Sequence, residues 1–220
     1  MDNHFSPTRL AHVFEADAGR PELLKRREST NLEIKENFGL SPNALEDYGR
    51  TLAGFSNRSG GYLIFGIKNR PHFMVGMTNS RFVDFDPNRL TQFLNNHFSP
   101  SIQWDHTVYT VDGKQFGVIY ADVVVPKPVI CLNNGKRLKE GDIYYRYQGE
   151  TRRITASDLH KLIEQRIEME RRSWRDLLAR TSRTSPSATY LLDISQGRAT
   201  GENRSFLIGE ELLDRIKFIH

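Results

Sequence analysis

Cysteine is almost missing from this chain. Cys131 is the only one in 220 residues, which excludes an intrachain disulfide and any zinc site built on cysteines. No apolar run approaches the roughly 20 residues needed to span a bilayer. Met1-Asp2-Asn3-His4 opens neither a signal peptide nor a transit peptide. A cytoplasmic protein without a membrane partner is therefore expected. No G-x-x-x-x-G-K-[ST] stretch occurs, which argues against a P-loop ATPase, and the seven histidines show no metal spacing such as H-E-x-x-H. Ser29 and Cys131 have no base partner close in sequence, so nothing recommends nucleophilic catalysis. A large excess of one charge is missing too: 31 Lys and Arg stand against 27 Asp and Glu, a net +4. That mild basicity permits a nucleic-acid partner without requiring one.

What is present reads as one α+β domain, a mixed or antiparallel sheet flanked by helices. Ser6-Pro7 with Leu10, Val13 and Phe14 predicts a short helix, ended by Gly19 and Pro21. Leu32 and Ile34 alternate with Glu33 and Lys35, the period of a strand. Ser41-Pro42 starts a helix whose buried side is Leu45, Tyr48, Leu52 and Phe55. The continuous apolar run Tyr62 to Ile67 predicts a strand covered on both faces. Asp86-Pro87 opens another helix, and Asp112-Gly113 turns a hairpin between His106–Val111 and Lys114–Val125.

Short strands are expected at Val129–Cys131 and Ile143–Tyr147, with Asn134-Gly135 turning between them. Thr155 and Asp158 frame a capping box before a long helix, and Thr181 to Ser187 reads as a linker. The last thirty or so residues suggest a strand, a turn and a short helix, too little to fold alone by the usual limit of about 40 residues. Residues 1–19 are thus an N-terminal extension, 20–180 the domain, and 181–220 a linker and appendage with dimerisation as its expected role.

Glu28, Glu33 and Lys35 invite two readings. Oxygen ligands and a lysine at one sheet edge can build a metal-assisted phosphodiester site. Glutamates five apart cannot share a face of one strand, so Glu28 must lie on a loop or helix end folded over the strand of Glu33. The other reading is ion pairing with Arg26, Arg27 or Lys35, which spacing alone favours. Gly60-Gly61 is better explained by a turn at positive φ than by a phosphate cradle.

Arg146, Arg152 and Arg153 are interleaved with Tyr144, Tyr145 and Tyr147, the residue types that grip phosphates and stack on bases. A solvated face stands as the alternative there. It is the preferred reading for Arg166, Arg171, Arg172, Arg175 and Arg180, with pairs such as Glu168 and Arg172 four apart.

Taken in order, Glu-x4-Glu-x-Lys from Glu28, Ala53-Gly54-Phe55-Ser56-Asn57, Gly-Gly-x-Leu-Ile-x-Gly-Ile from Gly60, and Gly141-Asp142-Ile143-Tyr144-Tyr145-Arg146-Tyr147 resemble the Schlafen AlbA_2 domain over about Glu28 to Glu168. The resemblance implies a nucleic-acid-binding protein derived from a metal-dependent endoribonuclease of the kind that acts on tRNA. In it, Glu28 and Glu33 hold Mg²⁺ or Mn²⁺ and Lys35 steadies the phosphate. A third carboxylate is implied just after the Gly-Gly strand, where this chain has Lys68-Asn69. Asn69 keeps the shape of aspartate and loses its charge, which implies a silenced site. Asp84, Asp86 and Asp122 are the candidate acids to replace it in space.

Nucleic-acid contacts are implied at Lys35, Lys68, Arg146, Arg152 and Arg153. The two-lobed architecture of Schlafen proteins implies a homodimer of this single lobe. The rival expectations are a binding module without catalysis, or a subunit with a protein partner in a larger assembly such as a phage-defence complex.

Overall fold

Pro7 occupies the first turn of α1 (Pro7–Val13), the first element of the computed structural model, and Leu10 and Val13 are its buried side. The structure describes residues 4–183, 190–193, 196–201 and 205–209. After α1 come β1 (Ala16–Asp17), β2 (Arg20–Leu24), β3 (Leu32–Lys35), α2 (Pro42–Ser56), β4 (Gly61–Phe65), β5 (Ile67–Lys68) and β6 (Phe73–Met74). A 3-10 turn at Ser80–Phe82 leads to α3 (Pro87–His97), β7 (Phe98–Ser99), β8 (Trp104–Val111), β9 (Lys114–Ala121) and β10 (Ile130–Cys131). The hairpin β11 (Tyr144–Arg146) and β12 (Thr151–Arg153) precedes α4 (Ala156–Arg183). The last described strands are β13 (Leu191–Asp193), β14 (Arg198–Thr200) and β15 (Ser205–Leu207). The fold class is α+β, as the patterning requires.

Internal contacts divide the chain into residues 1–162 and 163–220. The first unit is built on a sheet of order β3-β4-β9-β8. β3 runs parallel to β4, with Glu33 opposite Leu63 and Lys35 opposite Phe65. A parallel pair needs a crossover, and α2 supplies it. Ser41 caps that helix by accepting a hydrogen bond from the Ala44 N–H at 3.3 Å. β4 is buried along its whole length. Leu63 and Phe65 enter the core under α2 and α3, beside Leu52, Phe55 and Leu90. Tyr62 and Ile64 enter a second core with Leu10, Val13 and Phe14 of the N-terminal segment and Leu24 of β2. Apolar residues at both parities reflect these two cores.

Two local expectations change. The apolar run from Tyr62 to Ile67 is not one strand. It breaks at Gly66, whose φ of +103° only glycine adopts readily, and whose Cβ would lie 3.0 Å from the Gly76 backbone. Ile67 therefore enters a second sheet of order β1-β2-β6-β5. Nor do the strands flanking Asn134-Gly135 pair as a hairpin: β10 pairs with β7, and β11 with β12. The intervening loop is tied instead to α2, where the buried Glu46 accepts from the N–H groups of Lys136 and Arg137.

At the start of α4, Asp158 N–H donates to Thr155 Oγ1 at 3.2 Å, and Asp158 Oδ2 accepts from the hydroxyls of Thr155 and Tyr147 at 2.8 Å each. In the second unit, α4 runs on to Arg183, so it takes in the first residues of the expected linker. Its charged side chains pair along the helix, Arg172 and Arg175 with Glu168 and Arg166 with Glu170. β13, β14 and β15 form an antiparallel sheet, where one strand and a turn were expected. The expected terminal helix lies outside the described residues.

Candidate nucleic-acid interface

The strand that carries Glu33 fixes what its side chain meets. Leu32 and Ile34 point into the second core, so Glu33 and Lys35 face the opposite side. Glu33 Oε1 lies 3.6 Å from Lys35 Nζ, and Glu33 Oε2 lies 2.7 Å from Arg146 Nη2. Glu28 precedes β3, and its carboxylate folds back to accept from the Ile34 N–H at 3.4 Å. Burial pushes the Glu33 carboxyl above the usual carboxylate range against the pull of Arg146, and the nearby charge of Glu28 adds to the rise.

Arg146 corrects an expectation. It was expected among the phosphate ligands at the surface, yet it is 1% exposed. Its Nε donates to Ser29 O at 2.9 Å, its Nη2 to Leu32 O at 2.9 Å, and its Nη1 to Thr151 Oγ1 at 3.1 Å. The guanidinium also sits 5.4 Å from the centre of the Phe55 ring. A buried arginine is tolerable only when paired and hydrogen-bonded, and Arg146 spends two of its donors on carbonyls of the loop that runs from Glu28 into β3. It ties that loop to the β11–β12 hairpin.

On the other face of the hairpin, Tyr145 and Tyr147 meet edge to face at 5.3 Å, and the Arg152 guanidinium lies over Tyr147 at 4.3 Å. Arg153 Nε is 2.8 Å from Asp142 Oδ1 while its side chain stays 68% exposed. Lys68 and Asn69 are both exposed.

Gly149, in the hairpin turn, lines two clefts. The smaller, about 230 Å³, holds Glu33, Lys35, Arg50 and Arg146. The larger, about 660 Å³, holds Glu28 and Asn69 together with Arg20, Lys25, Arg27, Arg70 and His72. Sequence reasoning brought Glu28 and Asn69 forward, named Arg27 only as an ion-pair partner, and missed Arg20, Lys25, Arg70 and His72. Lys25 is paired with Glu15. Arg20, Arg27 and Arg70 are exposed and form no side-chain ion pair among the described residues. Arg70 and His72 have φ of 54° and 26°, uncommon for residues other than glycine and often a mark of functional sites.

A family model described as "Schlafen, AlbA_2" matches residues 28–155. The chain belongs to the Schlafen AlbA_2 family. An uncharacterized ATP-binding protein of Ureaplasma parvum serovar 3 is 36% identical over 165 residues, which cover 68% of this chain and 46% of that protein. The chain thus spans less than half the length of that curated relative. Among solved structures, a Corynebacterium diphtheriae protein aligns with a TM-score of 0.47 and 16% identity, over 87% of this chain and 31% of its own. The N-terminal domain of an ATP-dependent DNA helicase RecG-related protein from Nitrosomonas europaea aligns with a TM-score of 0.35 and 20% identity, over 60% of this chain and 86% of its own. Likenesses at these scores carry no functional argument.

Whether this AlbA_2 domain suits a divalent ion is decided by its donors. Such an ion needs several oxygen ligands with negative charge to spare. Glu33 is already held by Arg146 and Lys35, Glu28 and Asp17 are the carboxylates lining the cleft of Asn69, and the same cleft carries Arg20, Arg27 and Arg70. Among the described residues, no three His, Cys, Asp or Glu side chains converge. Asp86 caps α3 through the Asn88 N–H and does not stand in for the missing acid. The donors present do not fit the Mg²⁺ or Mn²⁺ site that the resemblance implies. Nor is any described helix long and apolar enough to cross a membrane.

Proposed function

We propose that this AlbA_2 domain binds nucleic acid through the larger cleft, without a divalent ion bridging protein and phosphate. The observation that carries this reading is a set of three arginines, Arg20, Arg27 and Arg70, without an ion pair among the described residues and opening on one cleft of about 660 Å³. Unpaired guanidiniums at a concave surface are what a phosphate backbone selects. Arg152 with Tyr145 and Tyr147 extends the same chemistry along the hairpin, where a base can stack. Membership of the Schlafen AlbA_2 family favours nucleic acid over other polyanions. Glu33 and Arg146 serve the binding loop as an internal ion pair.

Binding of labelled tRNA and single-stranded DNA, followed across salt concentrations, tests the proposal. Affinity that falls steeply as salt rises is expected, because phosphate contacts release counterions. Affinity indifferent to salt, or none at all, contradicts it.

The same reading takes the working form as a homodimer. Its support is a row of exposed apolar side chains on α4, Ile163, Ile167 and Trp174, the last 65% exposed. A monomeric mass at micromolar concentration contradicts that part.

A further inference from the structure

Ile163, Ile167, Trp174 and Leu177 form a row of exposed apolar side chains along one face of α4. All four lie in the second unit. Their spacings of four, seven and three residues are those of the apolar seam of a two-stranded coiled coil. Glu170 fills the seam position between Ile167 and Trp174, and Arg166 holds its carboxylate at 3.4 Å.

The charges beside this seam fall into two sets. Away from it, Glu168 is shared by Arg172 and Arg175. Glu164 and Arg171 are exposed and form no ion pair among the described residues. Being seven residues apart, they stand on the same flank of the seam, one heptad from each other. Arg171 has no free acid at helical spacing on its own helix: Ile167 and Trp174 are apolar, Arg175 is a like charge, and Glu168 is already taken.

The charges decide which way a second helix can lie. In a parallel pair of copies, Glu170 meets Glu170 and Arg166 meets Arg171 across the rim, both like-charge contacts. Turned end for end, Ile163 meets Trp174 of the second copy, Ile167 covers the aliphatic stem of Glu170, and Glu164 meets Arg171. A two-fold axis makes each of these contacts occur twice. The face therefore satisfies its own unpaired charges, but only against an inverted copy of itself.

We infer that two copies of this chain pair antiparallel through α4, with Glu164 and Arg171 as the charges that fix the direction. The inference rests on the homodimer reading above, and deepens it by naming the contact, its orientation and the residues that select it.

Sedimentation of the full chain from nanomolar to micromolar concentration gives the dimer constant. Glu164→Arg and Arg171→Glu should each weaken the dimer about tenfold, because two exposed ion pairs become like-charge contacts. Both exchanges together should restore the parent constant to within about twofold, since the pairs re-form with their signs reversed. Trp174→Ala should weaken the dimer as well. All four positions changed are solvent-facing or on the seam, so the circular dichroism of every variant should match the parent. Single exchanges without effect, or an Arg171→Glu dimer tighter than the parent, overturn the antiparallel contact and leave the homodimer standing where Trp174→Ala still weakens it. A dimer indifferent to Trp174→Ala too, or a parent chain that is monomeric at micromolar concentration, overturns both.

Discussion

Arg146 Nη2 lies 2.7 Å from Glu33 Oε2 and is 1% exposed as a residue, so the glutamate already has a cation built into the fold. Removing one partner of such a buried pair strands the other, which typically costs about 3–5 kcal/mol. Arg146→Ala should therefore lower stability by about that amount, read from the urea midpoint. Replacing both, Arg146→Met with Glu33→Leu, should recover much of the loss, because apolar residues of similar volume often replace a buried pair without penalty. The double variant should also keep the salt dependence of nucleic-acid binding. If its slope against log salt fell by about 1, Arg146 would be a phosphate ligand after all.

The raised carboxyl of Glu33 has a pH signature. A group that holds its proton more tightly folded than unfolded contributes stability that is fully present below the unfolded value, about 4.3 for glutamate. That contribution is lost as pH rises through the folded value. Glu33→Gln removes the titration. The difference in urea midpoint between the variant and the parent should therefore move in favour of Glu33→Gln as pH rises from about 4. Movement the other way would mean that Arg146 outweighs burial and holds the carboxyl below its ordinary range.

Restoring the third acid should not create a metal-dependent nuclease. Asn69→Asp adds a carboxylate beside Glu28, but Glu33 stays bound to Arg146 and Lys35. Incubation of this variant with tRNA and Mn²⁺ should give no product beyond that formed in EDTA. New Mn²⁺-dependent cleavage would show that Asn69 alone silences a site whose other parts are intact.

Gly61 tests the packing that places β4 beside β3. A Cβ at this position would lie 2.6 Å from the Phe55 ring, and Phe55 is fully buried. Gly61→Ala should cost about 1–3 kcal/mol through overpacking, measured by urea unfolding. A neutral substitution would mean that the ring has room to move.

Much of this arrangement was legible in the residues alone. The apolar run after Gly60 had to be covered on both faces, and Asp112-Gly113, at φ of 48° and 75°, turns the β8–β9 hairpin as its chemistry demands. The odd spacing of Glu28 and Glu33 correctly placed Glu28 off the strand. Arg146 was misread because an arginine between tyrosines looks like surface. The signal that could have corrected this is strand alternation, which puts Arg146 on the face of the buried Tyr144 and leaves Tyr145 and Tyr147 opposite. Arg20, Arg27, Arg70 and His72 form no local motif. They become a site only when the loop before β3 meets the turn at Pro71, a contact that composition and periodicity do not encode.

Arginines of one cleft, without ion pairs among the described residues, are proposed to hold nucleic acid without a metal. The most direct measurement compares the parent chain with an Arg27→Glu, Arg70→Glu double variant for binding of labelled tRNA, in EDTA and again in Mn²⁺. Equal affinity of the parent chain in both buffers is expected, with a steep fall with salt and at least a tenfold loss in the variant, about 1.4 kcal/mol. Binding that requires Mn²⁺, or that the charge reversals leave untouched, would contradict it.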